Sequence, residues 1–177
     1  MRHAPEDIAR EVARLSALGT FQPGLEGGWN YPFDFGHGVI APVYAEINRT
    51  LMPWRRERFS EMLAGCLKGR AAADASMLEL GAAEGHTAEA AWQLGVRDIT
   101  CVEVNPLHLQ KARFVADVKG YDYQFVEGEA LHFLVENTRM FDVVDGDNVE
   151  ARRRQHLFDL VLAEARAEAE LLRPDAE

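Results

Sequence analysis

The chain has little cysteine, no long apolar run, and no base in the stretch where a phosphate site would need one. Its 177 residues include two cysteines, Cys66 and Cys101. Each lies in an apolar segment with no C-x-x-C or Cys/His spacing, which excludes a disulfide framework and predicts two buried free thiols in a reducing cytoplasm. No apolar stretch approaches the ~20 residues that span a bilayer, so no membrane association is expected. The N-terminal Met-Arg-His-Ala-Pro-Glu-Asp leads into a charged helix and not an apolar secretory core, so no signal is expected. Asp and Glu outnumber Lys and Arg by 29 to 19. The resulting net charge of -10 opposes non-specific binding to a polyphosphate. His3, His108, His132 and His156 have no ligand-like spacing, so no metal site is expected.

The remaining pattern is that of an α/β protein. Pro5 to Leu18 carries Ile8, Val12 and Leu15 at helical spacing, with Glu6 and Asp7 favouring the N-terminus and Gly19 ending the helix. Gly19 to Gly38 forms an aromatic loop with Phe21, Trp29, Tyr31, Phe33 and Phe35, too apolar for a linker. Pro53 to Leu67 predicts a second helix that buries Phe59, Met62, Leu63 and Cys66 and exposes Arg55, Arg56 and Arg58. Residues 1–75 thus form an extension, and 76–177 a core. In the core, strands near Met77–Leu80, Ile99–Val104, Tyr123–Val126 and Phe141–Val144 alternate with helices over Thr87–Leu94, Pro106–Lys119 and Leu131–Glu136, the pattern of a parallel sheet with crossover helices. Asn105 before Pro106 is a helix start and Gly120 a stop.

Ligands of such sheets bind at the carboxyl ends of the strands, so the acids there are read together. Glu79 closes the first strand and Glu103 the second, while Glu127 and Glu129 follow the third. Between the first strand and its helix lies Gly81-Ala-Ala-Glu-Gly85, a turn that needs residues without bulk. Glu103, after Gly85 at the end of the neighbouring strand, is placed to accept hydrogen bonds from both hydroxyls of a ribose. No Lys or Arg occurs from Ala71 to Val96, whereas Glu79 and Glu84 bracket the loop, so the site suits a cationic ligand better than a phosphate. Neither the Walker pattern nor G-x-G-x-x-G is present.

Glu79-Leu-Gly81-Ala-Ala83-Glu-Gly85 resembles the E/D-x-G-x-G-x-G motif of class I S-adenosylmethionine-dependent methyltransferases, with Ala83 at the middle glycine. The resemblance covers Met77 to about Val144 and implies a Rossmann-like core with a partial parallel sheet ordered 3-2-1-4. It implies S-adenosylmethionine as cofactor, with Glu79, Gly81, Ala82, Ala83, Gly85 and His86 around the methionyl part, Glu103 and Val104 at the ribose, and Glu129 and Ala130 at the adenine. Trp29-Asn-Tyr-Pro-Phe-Asp-Phe-Gly-His-Gly-Val39 is similar to the aromatic segment before the core in relatives of the tRNA wobble-uridine 5-oxyacetate enzymes. That similarity would make Tyr31, Asp34 and His37 a cap over the site; packing against the open side of the sheet explains the same aromatics. Methyl transfer needs alignment of the acceptor and a base only where a proton must leave, for which His37, Asp34, Asp145 and Asp147 are the candidates.

Members of that family commonly continue with three further strands. Here Phe141–Val144 is followed by Asp145-Gly-Asp-Asn-Val-Glu-Ala-Arg-Arg-Arg-Gln155 and a stretch, Leu157 to Leu172, whose helix formers predict one helix. The expectation is a truncated or frame-shifted relative, with the fourth strand's edge covered by the tail, the extension or a second copy of the chain. Two functions remain: methyl transfer to a small molecule or RNA, or a catalytically silent remnant that binds cofactor or partner. An NAD-binding Rossmann module is disfavoured by the glycine spacing and by the acid before Gly81.

Overall fold

A computed structural model describes residues 3–18 and 27–146. The chain divides into two units, Met1–Asp145 and Gly146–Glu177. The helix expected over Leu157–Leu172, the arginines 152–154, Asp147 and Phe21 all lie outside the described residues.

Helix α1 spans Pro5–Ala17 and buries Ile8, Val12 and Leu15, with Pro5 at its start and Glu6 and Asp7 in the first turn. Its apolar face meets Trp29, Tyr31, Phe33 and Phe35, which are buried while the residues between them are not. That period of two marks extended chain and not an irregular loop. Two isolated bridges, Trp29 with Val43 and Asp34 with Ile40, hold the segment, and its rings meet edge-on, Tyr31 on Phe33 at 4.7 Å. With Ala41, Met52 and Val115 they form a core cluster of their own.

Helix α2 spans Asn48–Leu67, so it begins five residues before the Pro53 expected to start it. Pro53 lies inside the helix, where its fixed φ is compatible with helical geometry at the loss of one backbone hydrogen bond. The buried stripe is Met52, Phe59 and Leu63. Met62 is 50% exposed and Cys66 is exposed, which corrects the expectation that both are buried; of the arginines expected on the surface, Arg58 is exposed while Arg55 and Arg56 are partly buried.

The sheet comprises β1 (Ser76–Leu80), β2 (Asp98–Glu103), β3 (Gln124–Glu127) and β4 (Val143–Gly146), in the order β3-β2-β1-β4. β1 pairs parallel with β2, Leu80 opposite Val102, and β2 parallel with β3, Glu103 opposite Glu127. Between the strands run α3 (His86–Gln93), α4 (Pro106–Lys119) and α5 (Ala130–Glu136). Asn105 caps α4 by accepting from Leu107 N at 3.0 Å, and Gly120 closes it in the left-handed region. Both faces of the sheet are covered, as parallel strands require. Met77, Ile99 and Cys101 pack with Phe59, Leu63, Ala88 and Tyr123, and Leu78, Leu80 and Val102 pack with Phe133, Leu134 and Phe141. Among the described residues no helix is long and apolar enough to cross a membrane.

Candidate functional site

The turn from β1 into α3 is held by the neighbouring strand: Gly81 N and Ala82 N donate to Val102 O at 2.8 and 3.1 Å. Gly81, Ala83 and Gly85 have φ of 72°, 47° and 78°. A side chain at Gly81 would meet nothing within 4 Å, so this glycine is required by its backbone angle while the space over it stays open to a ligand. Ala83 adopts the same region with a Cβ, which is strained by about 1–2 kcal/mol. Ala83 stands at the middle glycine of the motif it resembles, and its positive φ supplies a backbone reason for glycine there.

Glu103 joins three loops at this edge. Its Oε2 accepts from Ala83 N at 2.7 Å and its Oε1 from Asn105 N at 2.8 Å, while its carbonyl accepts from Gly128 N at 3.1 Å. The residue is buried, and Val104 beside it is 62% exposed. Glu129 is exposed and stands at the N-cap position of α5, whose first residue Ala130 is half-buried, so both border the same edge beyond Gly128.

Glu79 faces the α3 side of the sheet, under the loop. Its Oε2 accepts from Ala88 N at 3.2 Å and from the Cys101 thiol at 3.7 Å. Burial, with the charge of Asp145 second, pushes its carboxyl up to about 8, and burial likewise pushes the Cys101 thiol up. The Asp145 effect places that β4 acid near Glu79. Among the described residues no group of three or more His, Cys, Asp or Glu is arranged to hold a metal ion.

Glu84 turns away from the open side. It is 1% exposed and accepts from Asn30 N at 2.7 Å, Tyr31 N at 3.2 Å and Lys111 Nζ at 3.2 Å. The absence of bases in 71–96 therefore misleads, since the fold brings Lys111 from α4 to the loop and pairs it with one of the two acids expected to face a cation. Lys111 was detectable: it lies four residues before Val115 on the apolar stripe of its helix, where a lysine needs a partner.

His86 opens α3, 6% exposed, with Nδ1 unpartnered and its ring stacked on Tyr31 at 5.5 Å and 12°. Burial, then Arg55 and Arg56, lowers its pKa to about 4, so it is neutral. The Tyr31 hydroxyl accepts from Arg56 at 2.7 Å, and Arg56 also pairs with buried Glu89 at 3.1 Å. Asp34 and His37 lie in an exposed turn, where Asp34 accepts from Gly36 N at 2.8 Å. Phe35 between them packs on Phe114, 5.4 Å away, and under Lys119, in the C-terminal half of α4. The structure thus brings Glu79, Gly81 to His86 and Glu103 to one place, with the Asp145 charge acting on Glu79, and sets Asp34 and His37 in the exposed turn of the aromatic segment.

No protein-family model and no curated protein matches the chain. Solved structures do. The N-terminal domain of EvdMO1 with SAH bound matches with a TM-score of 0.58 at 22% identity, over 80% of this chain and 53% of that one. The same domain in the presence of SAH and D-fucose gives 0.52 at 25% identity, over 80% and 52%. The described sheet and its helices have the Rossmann-like methyltransferase fold. A proposed O-methyltransferase from Klebsiella pneumoniae shares it, with a TM-score of 0.50 at 18% identity over 89% of this chain and 59% of that one. The chain spans little more than half the length of these neighbours.

Proposed function

We propose that the chain binds S-adenosylmethionine at the Gly81–Gly85 loop and directs its methyl group to a small-molecule acceptor. The observation that carries this reading is Glu103: a buried carboxylate at the end of β2, bonded through Ala83 N to a loop in which a side chain at Gly81 would meet nothing within 4 Å. When bound, the cofactor supplies an electrophilic methyl group on a sulfonium. Glu103 would accept from the ribose hydroxyls with Val104 beside it, and Glu129 and Ala130 would border the adenine. The loop backbone would lie against the methionyl part, with Glu79 beneath it as the nearby acid and His86 as a neutral neighbour with a free ring nitrogen. Where the acceptor must lose a proton, Asp145, whose charge acts on Glu79, is the candidate base.

The net charge of -10 favours a small acceptor over RNA. The similarity to wobble-uridine enzymes makes tRNA the second arm of the test, since it rests on the segment Trp29–Val39. An exposed Cys66 fits the same cytoplasmic setting as before, and a second copy of the chain pairing along β4 is part of the proposal. Incubation with radiolabelled S-adenosylmethionine and panels of small acceptors and tRNA tests the transfer. Label in a small acceptor supports it, label in tRNA redirects it, and cofactor binding with no transfer to any acceptor supports the silent, cofactor-binding reading.

A further inference from the structure

We infer that Glu84 and Lys111 are positioning residues that lock the segment 28–31 onto the back of the cofactor loop and so set its affinity. The inference rests on the cofactor reading above. Glu84 lies within the loop, next to the strained Ala83, and its carboxylate points inward to Asn30 N, Tyr31 N and Lys111. Lys111 completes the lock from α4: Nζ donates to Gly28 O at 2.6 Å and stands 5.1 Å over the Trp29 ring. Gly28 seats the segment tightly, because a Cβ there would lie 2.7 Å from Tyr44 N.

Both charged side chains are 1% exposed. Burying such a pair gains little stability over apolar side chains of the same volume, so its presence is better explained by the geometry it imposes than by packing. That geometry bears on the ligand face. With Glu84 fixed, Ala83 is held in the left-handed region from behind, which directs its N–H at Glu103. With residue 31 fixed, the Tyr31 ring is held against His86 at the start of α3. Losing the pair releases the loop, and the cost falls on cofactor affinity.

The test compares the double variant Glu84→Gln/Lys111→Met, which leaves neither charge buried alone, with Leu15→Ala, which opens a cavity in the same core cluster without touching the loop. Calorimetry with S-adenosylhomocysteine should show about tenfold weaker binding for the double variant, and binding within about twofold of the parent for Leu15→Ala, although it is Leu15→Ala that melts earlier. Parent-like affinity in the double variant would overturn the inference. Reciprocity adds an arm on the unmodified protein: saturating S-adenosylhomocysteine should slow amide exchange at 28–31 by about tenfold, and unchanged exchange there would contradict the lock. If the double variant fails to fold, this arm decides. If the parent binds no S-adenosylhomocysteine, the cofactor reading fails by itself. The lock is then read in the ligand-free state, where amides at 81–85 must exchange about tenfold faster in the double variant, and equal rates would refute it.

Discussion

Ala83 and Glu79 show how much one residue of this loop carries. Ala83 holds a left-handed φ of 47° that glycine adopts freely. Ala83→Gly should stabilise the protein by about 0.5–1 kcal/mol once the greater freedom of glycine in the unfolded chain is subtracted, seen as a melting temperature about 2 °C higher. Glu79 gives a pH dependence. Its carboxyl is raised from 4.5 to about 8, so the folded state holds a proton that the unfolded state has released across that range. Stability from this group is complete below 4.5 and is lost as pH rises through 8. Glu84, raised to about 7 by burial against the pull of Lys111, acts in the same direction. His86, lowered to about 4, acts oppositely and weakens the fold as pH falls below 6.5. Melting scans should therefore show a falling melting temperature toward pH 8, and Glu79→Gln should remove several degrees of that fall; an unchanged slope would place the effect elsewhere.

At the scale of elements, what was legible followed from local chemistry. The limits of α4 are written in Asn105, Pro106 and Gly120, because a cap, a ring with fixed φ and a residue free to turn left-handed act within one turn of chain. Asn105→Ala should cost about 1 kcal/mol, read as a melting temperature lower by about 3 °C, because it removes the acceptor for Leu107 N. The start of α2 differs because Pro53 reads as a helix start and in fact lies inside; Met62 and Cys66, three residues after Phe59 and Leu63 respectively, share their helical spacing but fall on the exposed border of the buried stripe. The aromatic segment reads as a loop for its glycines, yet its alternate burial makes it an extended ribbon. The Glu84–Lys111 pair was invisible for a different reason: a contact across 27 positions leaves no local periodicity, and only the lysine on an apolar stripe hinted at it.

For the whole molecule, the strand order, the carboxyl-edge acids and the glycine loop agree on one place for a ligand, and the N-terminal helices join the same compact unit as the sheet, Met1–Asp145. The acidic excess lies in residues 76–177, which carry 20 acids against 10 bases, whereas 1–75 carry nine of each, and it predicts weak association with any polyanion. Self-association along β4 predicts a mass by light scattering of twice 19.8 kDa, which a clean monomer would contradict. The central claim concerns the loop and Glu103, and calorimetric titration with S-adenosylhomocysteine tests it most directly. The account predicts saturable one-to-one binding by the parent, weakened about 10- to 100-fold by Glu103→Ala, as expected for losing hydrogen bonds to a charged acceptor. It also predicts no binding by Gly81→Val, whose side chain fills the open face. No heat of binding with the folded parent protein, or equal affinity in Glu103→Ala, would contradict it.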